Sequence, residues 1–237
     1  MDYLSKSICA FGDSVLKGVV LDKDTNKYQE IENNFAKLSC SAFGLEITNY
    51  GKFGSTISVV EKSFERYQEQ LKKFQYVVFE CGGNDCDFNW SEIAENPDTD
   101  HYPKSSISDF TEKFVFLIDR VKSMGKIPIL LSLPPIDAER YFSYLSEKFN
   151  KENLLKWLEG CVQVITNWHE RYNLQVFKIA RENDVDIIDI TSTFLDMKDY
   201  RKCLCIDGIH PNEIGHSIIA HTIENFIEKR FGLSQFA

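Results

Sequence analysis

Short apolar runs alternate along the chain with longer stretches in which apolar residues recur every three or four positions. The runs are rich in Ile, Val or Phe, each is followed by turn residues, and they span 7–11, 46–50, 76–81, 127–133 and 185–190. Uninterrupted apolar runs of this length are typical of parallel strands that are covered on both faces. The amphipathic stretches place apolar residues on one helical face, as in Phe110, Phe114, Leu117, Ile118 and Val121 and again in Ile219, Ile223, Phe226 and Ile227. This alternation predicts an α/β fold in which helices cover both faces of a five-stranded parallel sheet.

Two segments do not fit the simple alternation. Residues 87–108 are polar and irregular, and residues 137–173 form a longer helical insertion that we expect to break near Asn150 or Gly160. Both follow the ends of predicted strands, which is the edge of an open α/β sheet where ligands bind. We therefore expect one domain over residues 1–237, with these two elaborations as walls of a pocket.

Composition narrows the class of partner. The 237 residues carry a net charge of −9, which argues against nucleic acid or an anionic membrane as the main partner. Several of the seven cysteines lie inside apolar runs, and a scattered odd number of cysteines favours a reducing, cytoplasmic compartment. The sequence shows neither a signal peptide nor an apolar run long enough to span a membrane, so we expect neither.

Unusual polar residues follow four of the five predicted strands. The stretches are Gly-Asp-Ser at 12–14, Asn-Tyr-Gly-Lys-Phe-Gly at 49–54, Gly-Gly-Asn-Asp at 82–85 and Asp-Gly-Ile-His at 207–210. Because the carboxyl ends of parallel strands lie side by side, these stretches are expected to converge on one pocket.

The residue types in these stretches match the needs of an acyl-transfer site. Ser14 is a candidate nucleophile that His210 could activate as general base, and Asp207 is placed to hold the histidine tautomer. The Gly54 N–H, the Asn84 side-chain amide and the Ser14 N–H are candidate donors to an oxyanion. Ser14 could instead be an ordinary helix N-cap without a catalytic role. The three other polar stretches favour the catalytic interpretation.

Taken together, FGDS, NYGKFGST, GGND and DGIHP resemble the sequence blocks of the SGNH, or GDSL-type, hydrolases. The blocks occur in that family's order and extend over nearly the whole chain. The resemblance implies a three-layer α/β/α flavodoxin-like fold and metal-independent hydrolysis of esters or thioesters. It also implies that Ser14 is the nucleophile, Gly54 and Asn84 are oxyanion donors, His210 is the base and Asp207 is its partner.

Two features leave alternatives open. Gly51 competes with Gly54 as oxyanion donor. In the family that the chain resembles, the donor glycine usually follows the asparagine by about five positions and precedes a small polar residue, and Gly54, between Asn49 and Ser55, fits that pattern better. The nucleophile is followed by Val15 where the family commonly has Leu, a mild change if position 15 packs below the turn. The absence of G-x-S-x-G argues against the nucleophile elbow of other α/β hydrolases.

These observations predict a serine esterase that acts through an acyl-enzyme on short-acyl or carbohydrate O-acetyl esters. The alternatives are a thioesterase or lysophospholipase, or a non-catalytic binding protein on the same fold. We expect Asp13, Asp85 and Trp90 to contribute to substrate binding, and we predict no cofactor. No metal is predicted, because Cys203, Cys205 and His210 lack the spacing of a zinc site. The expected partner is a small ester. We expect His216 and His221 to be structural residues of the last helix, and His101 and His169 to lie on the surface.

Overall fold

A computed structural model describes residues 7–235, although not the side chain of Ser7. Five strands form one parallel sheet in the order β4-β1-β5-β6-β7, and β2 and β3 pair separately as an antiparallel hairpin. The strands in chain order are β1 (Ser7–Gly12), β2 (Val19–Asp22), β3 (Lys27–Glu30), β4 (Ile47–Asn49), β5 (Phe74–Glu80), β6 (Ile127–Leu131) and β7 (Asp186–Ile188). Each strand of the parallel sheet lies within, or within two residues of, a predicted apolar run. The predicted five-stranded parallel sheet is thus confirmed.

Helices follow the strands and cover both faces of the sheet. In chain order they are α1 (Ser14–Lys17), α2 (Phe35–Ser41), α3 (Ile57–Arg66), α4 (Trp90–Glu95), α5 (Ile107–Ser123), α6 (Ala138–Ser146), α7 (Lys151–Trp157), α8 (Val164–Glu182), α9 (Ile190–Leu195) and α10 (Glu213–Phe231). Short 3₁₀ turns lie at Gln70–Lys73 and Tyr200–Cys203.

The alternation of side chains along β1 divides the core between two faces. Phe11 packs on the face covered by α3, α5 and α8, together with Phe79 and Phe114. Ala10 packs on the opposite face, under α2 and α10, together with Phe35 and Ile219. The apolar stripes predicted for α5 and α10 are buried, except that Phe226 is half-buried. Burying such a stripe against the sheet is the main stabilisation available to these helices.

The predicted insertion is broken at both of the positions expected. Asn150 caps the start of α7 through its side chain, and Gly160 adopts a positive φ of 76° before α8 begins. Helices α4, α6 and α7 and the start of α8 pack together as a third apolar cluster above the carboxyl edge of the sheet. The two elaborations therefore meet each other rather than lying separately on the surface.

The hairpin of β2 and β3 was not predicted. Val19, Val20 and Leu21 are buried, whereas the whole of β3 is exposed, so the pair lacks the two-sided apolar pattern of the main strands. The hairpin lies beside the carboxyl end of β1 and reaches toward His210. Within residues 7–235, no helix is long and apolar enough to cross a membrane.

Candidate active site

Ser14 lies at the first turn of α1, directly after β1 ends. Asp13 caps this short helix, since its Oδ1 accepts a hydrogen bond from the Val15 N–H at 2.8 Å. Gly12 leaves no space for a side chain, because an added Cβ would lie 2.5 Å from the carbonyl oxygen of Glu80. The close packing of β1 on β5 therefore fixes where the chain turns, and Ser14 is presented at the edge of the sheet.

The side chains of Ser14, His210 and Asp207 form a continuous hydrogen-bonded series. His210 Nδ1 lies 2.7 Å from Asp207 Oδ2, and His210 Nε2 lies 2.9 Å from Ser14 Oγ. With Nδ1–H donating to the carboxylate, Nε2 is left to accept the serine proton. The arrangement has the geometry of a nucleophile, a base and an orienting acid.

A tight turn holds the acid and the base together. The second oxygen of Asp207 accepts the backbone N–H groups of Ile209 at 3.1 Å and His210 at 3.2 Å. Gly208 has φ of 76°, and an added Cβ would lie 2.5 Å from the carbonyl oxygen of Asp137. Glycine is required here by both conformation and space.

The environment of Asp207 favours its ionised form. Burial acts to raise its pKa, but the hydrogen bond and charge of His210 and the two backbone donors more than offset burial, so the pKa lies below its ordinary value. A carboxylate that stays ionised in this position stabilises an imidazolium at His210.

Asn84 and Gly54 both line the same cavity as Ser14 and His210. Asn84 Nδ2 donates to Asp13 Oδ2 at 2.8 Å, which fixes the amide orientation beside the serine. Gly54 has φ of 70° and no atom within 4 Å of where a Cβ would stand, so a ligand can approach its backbone. Gly51 differs, because its N–H already donates to Asn49 Oδ1 at 2.8 Å.

A pair of buried carboxyl groups lies beneath this site, and sequence reasoning missed one of them. Glu80, the last residue of β5, accepts the N–H groups of Asp13 at 3.4 Å and Leu16 at 3.3 Å. Burial and the neighbouring charge of Asp13 raise the pKa of Glu80 well above its ordinary value. Burial also raises the pKa of Asp13, which the hydrogen bonds from Val15, Glu80 and Asn84 only partly offset. The charge of Asp13 therefore opposes ionisation of Glu80, as expected for two carboxyl groups buried side by side.

The three residues expected to contact substrate have different positions. Asp13 and Trp90 line the cavity, but Asp85 is fully buried and does not line it. Asp85 instead accepts the Ile57 N–H at 2.9 Å and the Ser105 hydroxyl at 2.5 Å, and burial raises its pKa to about 6. Through these contacts, Asp85 joins α3 to the segment that precedes α5. Its hydrogen bonds within the protein are sufficient to explain why this carboxyl group is buried, and no ligand is needed.

The cavity has a volume of about 360 Å³. Both predicted elaborations contribute to its walls, through Phe88, Trp90, Tyr141, Leu145, Ile165 and Trp168. His169 also lines it and is only 4% exposed, so the expectation that this histidine lies on the surface was wrong. The periodicity of α8 places His169 four residues after Ile165 on the same buried face, a signal that would have indicated its burial.

Two aromatic side chains beside His210 were also missed. The ring of Tyr28 lies 5.2 Å from the imidazole, and that of Phe53 is stacked nearly parallel to it at 6.1 Å. Both are at least one-third exposed, so they border the mouth of the cavity. Tyr28 belongs to the unpredicted hairpin, and the polar Lys-Asp-Thr-Asn turn at 23–26 was the available signal for that hairpin.

A parallel five-stranded sheet with this polar cluster at its carboxyl edge belongs to the class of SGNH hydrolase folds. The sequence profile of the family described as GDSL-like Lipase/Acylhydrolase matches residues 8–223. The chain belongs to this family and is a hydrolase of carboxylic esters.

Similar proteins agree with the fold. A lipase/acylhydrolase from Enterococcus faecalis is 19% identical with a TM-score of 0.67, and the match covers 98% of this chain and 99% of that one. Axe2, an acetylxylan esterase from Geobacillus stearothermophilus, was solved as a catalytic mutant; it is 17% identical with a TM-score of 0.64, over 95% and 94% of the two chains. The Bacillus subtilis protein YpmR is 22% identical over 228 residues, covering 94% of this chain and 81% of its own length.

Proposed function

We propose that the protein hydrolyses esters in two steps through an acyl-enzyme on Ser14. The observation that carries the proposal is the series of short contacts from Ser14 Oγ through His210 to Asp207, at 2.9 and 2.7 Å. His210 takes the proton as Ser14 Oγ bonds to the ester carbonyl carbon. The imidazolium then protonates the alcohol oxygen, the bond from carbon to that oxygen breaks, and the acyl group stays on Ser14. Water, deprotonated by His210, releases the acid and restores the serine.

In this proposal, three donors hold the negative charge that develops on the carbonyl oxygen. They are the Asn84 amide and the backbone N–H groups of Gly54 and Ser14. Gly54 is preferred to Gly51 because the N–H of Gly51 is already donated to Asn49 and Gly51 does not line the cavity. Asp13 acts on Asn84 by holding its amide in place.

The proposed substrates are small-molecule esters. The acetylxylan esterase among the structural neighbours supports the expectation of short-acyl or carbohydrate O-acetyl esters. A second candidate, hydrolysis of lipid-type esters or thioesters, is favoured by a different observation, the large aromatic-walled cavity beside Ser14. We also propose a reducing, cytoplasmic location, because all seven cysteines are unpaired thiols and six of them are buried.

Labelling by a fluorophosphonate tests the mechanism directly. The reagent phosphonylates an activated serine, and the site is found by mass spectrometry while hydrolysis of p-nitrophenyl esters is followed in parallel. We expect one label on Ser14, loss of activity in proportion to labelling, and neither label nor turnover in Ser14→Ala. Ser217→Ala is the matched control, because Ser217 is exposed on α10 and bonds only to its own helix. A folded wild-type protein with no label and no turnover would instead support the non-catalytic binding protein.

A further inference from the structure

We propose that Glu80 is a positioning residue for the oxyanion site. By accepting backbone N–H groups on both sides of Ser14, it fixes the turn so that the Ser14 N–H is left free for the substrate. The inference rests on the proposed function, in which this N–H is one of the donors to the carbonyl oxygen. It is carried by the hydrogen bonds of the short turn that follows β1.

Glu80 Oε2 lies beneath this turn and accepts two of its backbone N–H groups. They are the N–H of Asp13 at 3.4 Å and the N–H of Leu16 at 3.3 Å, which lie before and after Ser14 in the chain. Parallel pairing of β1 with β5 places Gly12 beside Glu80, and a Cβ on Gly12 would lie 3.0 Å from the same Oε2 atom. Glycine at position 12 therefore allows this oxygen to lie under the turn.

The remaining N–H groups of residues 15–18 are accepted within the turn itself. The Val15 N–H donates to Asp13 Oδ1 at 2.8 Å. Those of residues 17 and 18 donate to backbone carbonyl oxygens at 3.0 and 3.2 Å. Among the hydrogen bonds of residues 7–235, the Ser14 N–H has no acceptor, and Ser14 lines the cavity. A donor left free in a fixed turn can bind an oxyanion without reorganisation at the moment of reaction.

A neutral carboxyl group suits the position of Glu80 better than an ionised one. Burial and the charge of Asp13 hold the pKa of Glu80 well above its ordinary value. A protonated Glu80 accepts the two N–H groups through its carbonyl oxygen and adds no negative charge near the developing oxyanion. Gln offers the same oxygen at the same reach, whereas Asp is one methylene shorter and withdraws it. These two substitutions therefore separate the position of the oxygen from the presence of an acid.

Steady-state hydrolysis of p-nitrophenyl acetate by Glu80→Gln and Glu80→Asp tests the proposal. We expect Glu80→Gln to keep kcat within a few-fold of wild type. Glu80→Asp should lower kcat by roughly 10²-fold, with KM changed by less than about threefold, because a displaced donor is lost mainly from the transition state. Fluorophosphonate labelling of Ser14 should slow by a similar factor in Glu80→Asp, since the phosphonyl oxygen takes the same donors.

Leu117→Ala is the control for a loss of stability alone. Leu117 is fully buried in α5 among the apolar residues of the face covered by α3, α5 and α8, so its truncation leaves a cavity in that core. Its kcat should match that of wild type even where its urea midpoint falls as far as that of Glu80→Asp. A kcat for Glu80→Asp equal to that of wild type, or a similar loss of kcat in Leu117→Ala, would overturn the positioning role.

Amide hydrogen exchange tests the same proposal in the wild-type protein, whether or not Glu80→Asp folds. The Ser14 N–H should exchange faster than those of Asp13, Val15 and Leu16, and phosphonylation of Ser14 should protect it. Equal protection of all four before phosphonylation would overturn the positioning role and leave the proposed function in place if Ser14 is labelled. An unlabelled Ser14 together with no turnover of esters would overturn both.

Discussion

Replacing Glu80 with Gln tests whether a neutral carboxyl group supports the active site from below. Glu80 is 1% exposed, and it accepts two backbone N–H groups while its other contact is the carboxyl of Asp13. If Glu80 were ionised, it would face the ionised carboxylate of Asp13. Among the residues that the structure describes, no cationic side chain hydrogen-bonds to either carboxylate. If Glu80 is protonated, Gln can replace it, because its oxygen accepts and its amide donates to Asp13.

The sign of the pH effect follows from linkage. The pKa of Glu80 is raised by folding, so above about pH 4.3 the native protein holds a proton that the unfolded chain has released. The stability that this proton gives is fully present below the unfolded pKa and is lost as the pH rises to the native pKa. Because Gln does not titrate, the Glu80→Gln variant does not lose this contribution to stability as the pH rises. The free energy of unfolding of Glu80→Gln, relative to wild type, should therefore increase by about 1.4 kcal/mol for each pH unit over which native Glu80 keeps its proton.

Urea unfolding followed by tryptophan fluorescence at pH 5, 6 and 7 measures this difference. Activity should stay within a few-fold of wild type, because Asp13 still orients Asn84. Glu80→Ala is the comparison, and it should lower the free energy of unfolding by about 2–6 kcal/mol, since two buried N–H groups lose their acceptor. A Glu80→Gln difference that does not change with pH would refute the reasoning, because it would mean that native Glu80 ionises as it does in the unfolded chain.

Three further substitutions test other parts of the site. Asn84→Ala should lower kcat by about 10²–10³-fold with little change in KM, and an unchanged kcat in steady-state assays would remove Asn84 from the oxyanion role. Asp207→Asn should lower kcat by about 10³-fold or more while circular dichroism shows an intact fold; retention of full activity would mean that Asp207 does not set the histidine tautomer. Gly208→Ala should lower the free energy of unfolding by about 2–3 kcal/mol in urea, more than Gly160→Ala, where φ is also 76° but nothing lies within 4 Å; equal losses would show that space does not matter.

The residues of the candidate site were foreseeable because each lies next to a strong local signal. A buried strand ends at a polar turn before Ser14, before Asn84 and near Gly54, and such ends meet at one edge of a parallel sheet. The spacing of Asp207 and His210 also fits within one tight turn. Local turn chemistry and the rule for parallel sheets were sufficient for these positions.

The structural roles of Asp85 and Glu80 could not be predicted in the same way. Asp85 follows Asn84 directly, yet its carboxylate turns to Ile57 and Ser105, which are distant in sequence. Glu80 lies at the end of an apolar strand, where nothing local shows that it faces the N–H groups of Asp13 and Leu16. The partner of a buried carboxyl group depends on which backbone donors neighbouring elements bring within reach.

By itself, the sequence determined the α/β class, the five parallel strands and the polar residues at their ends, because periodicity and turn residues act over a few positions. Only the tertiary structure decided that the hairpin places Tyr28 against His210, and how large the cavity between the two elaborations is, about 360 Å³. The size and lining of that cavity depend on how aromatic rings from α4, α6, α7 and α8 pack together. Such packing is a sum of many weak contacts between residues far apart in the chain, and no local pattern encodes it.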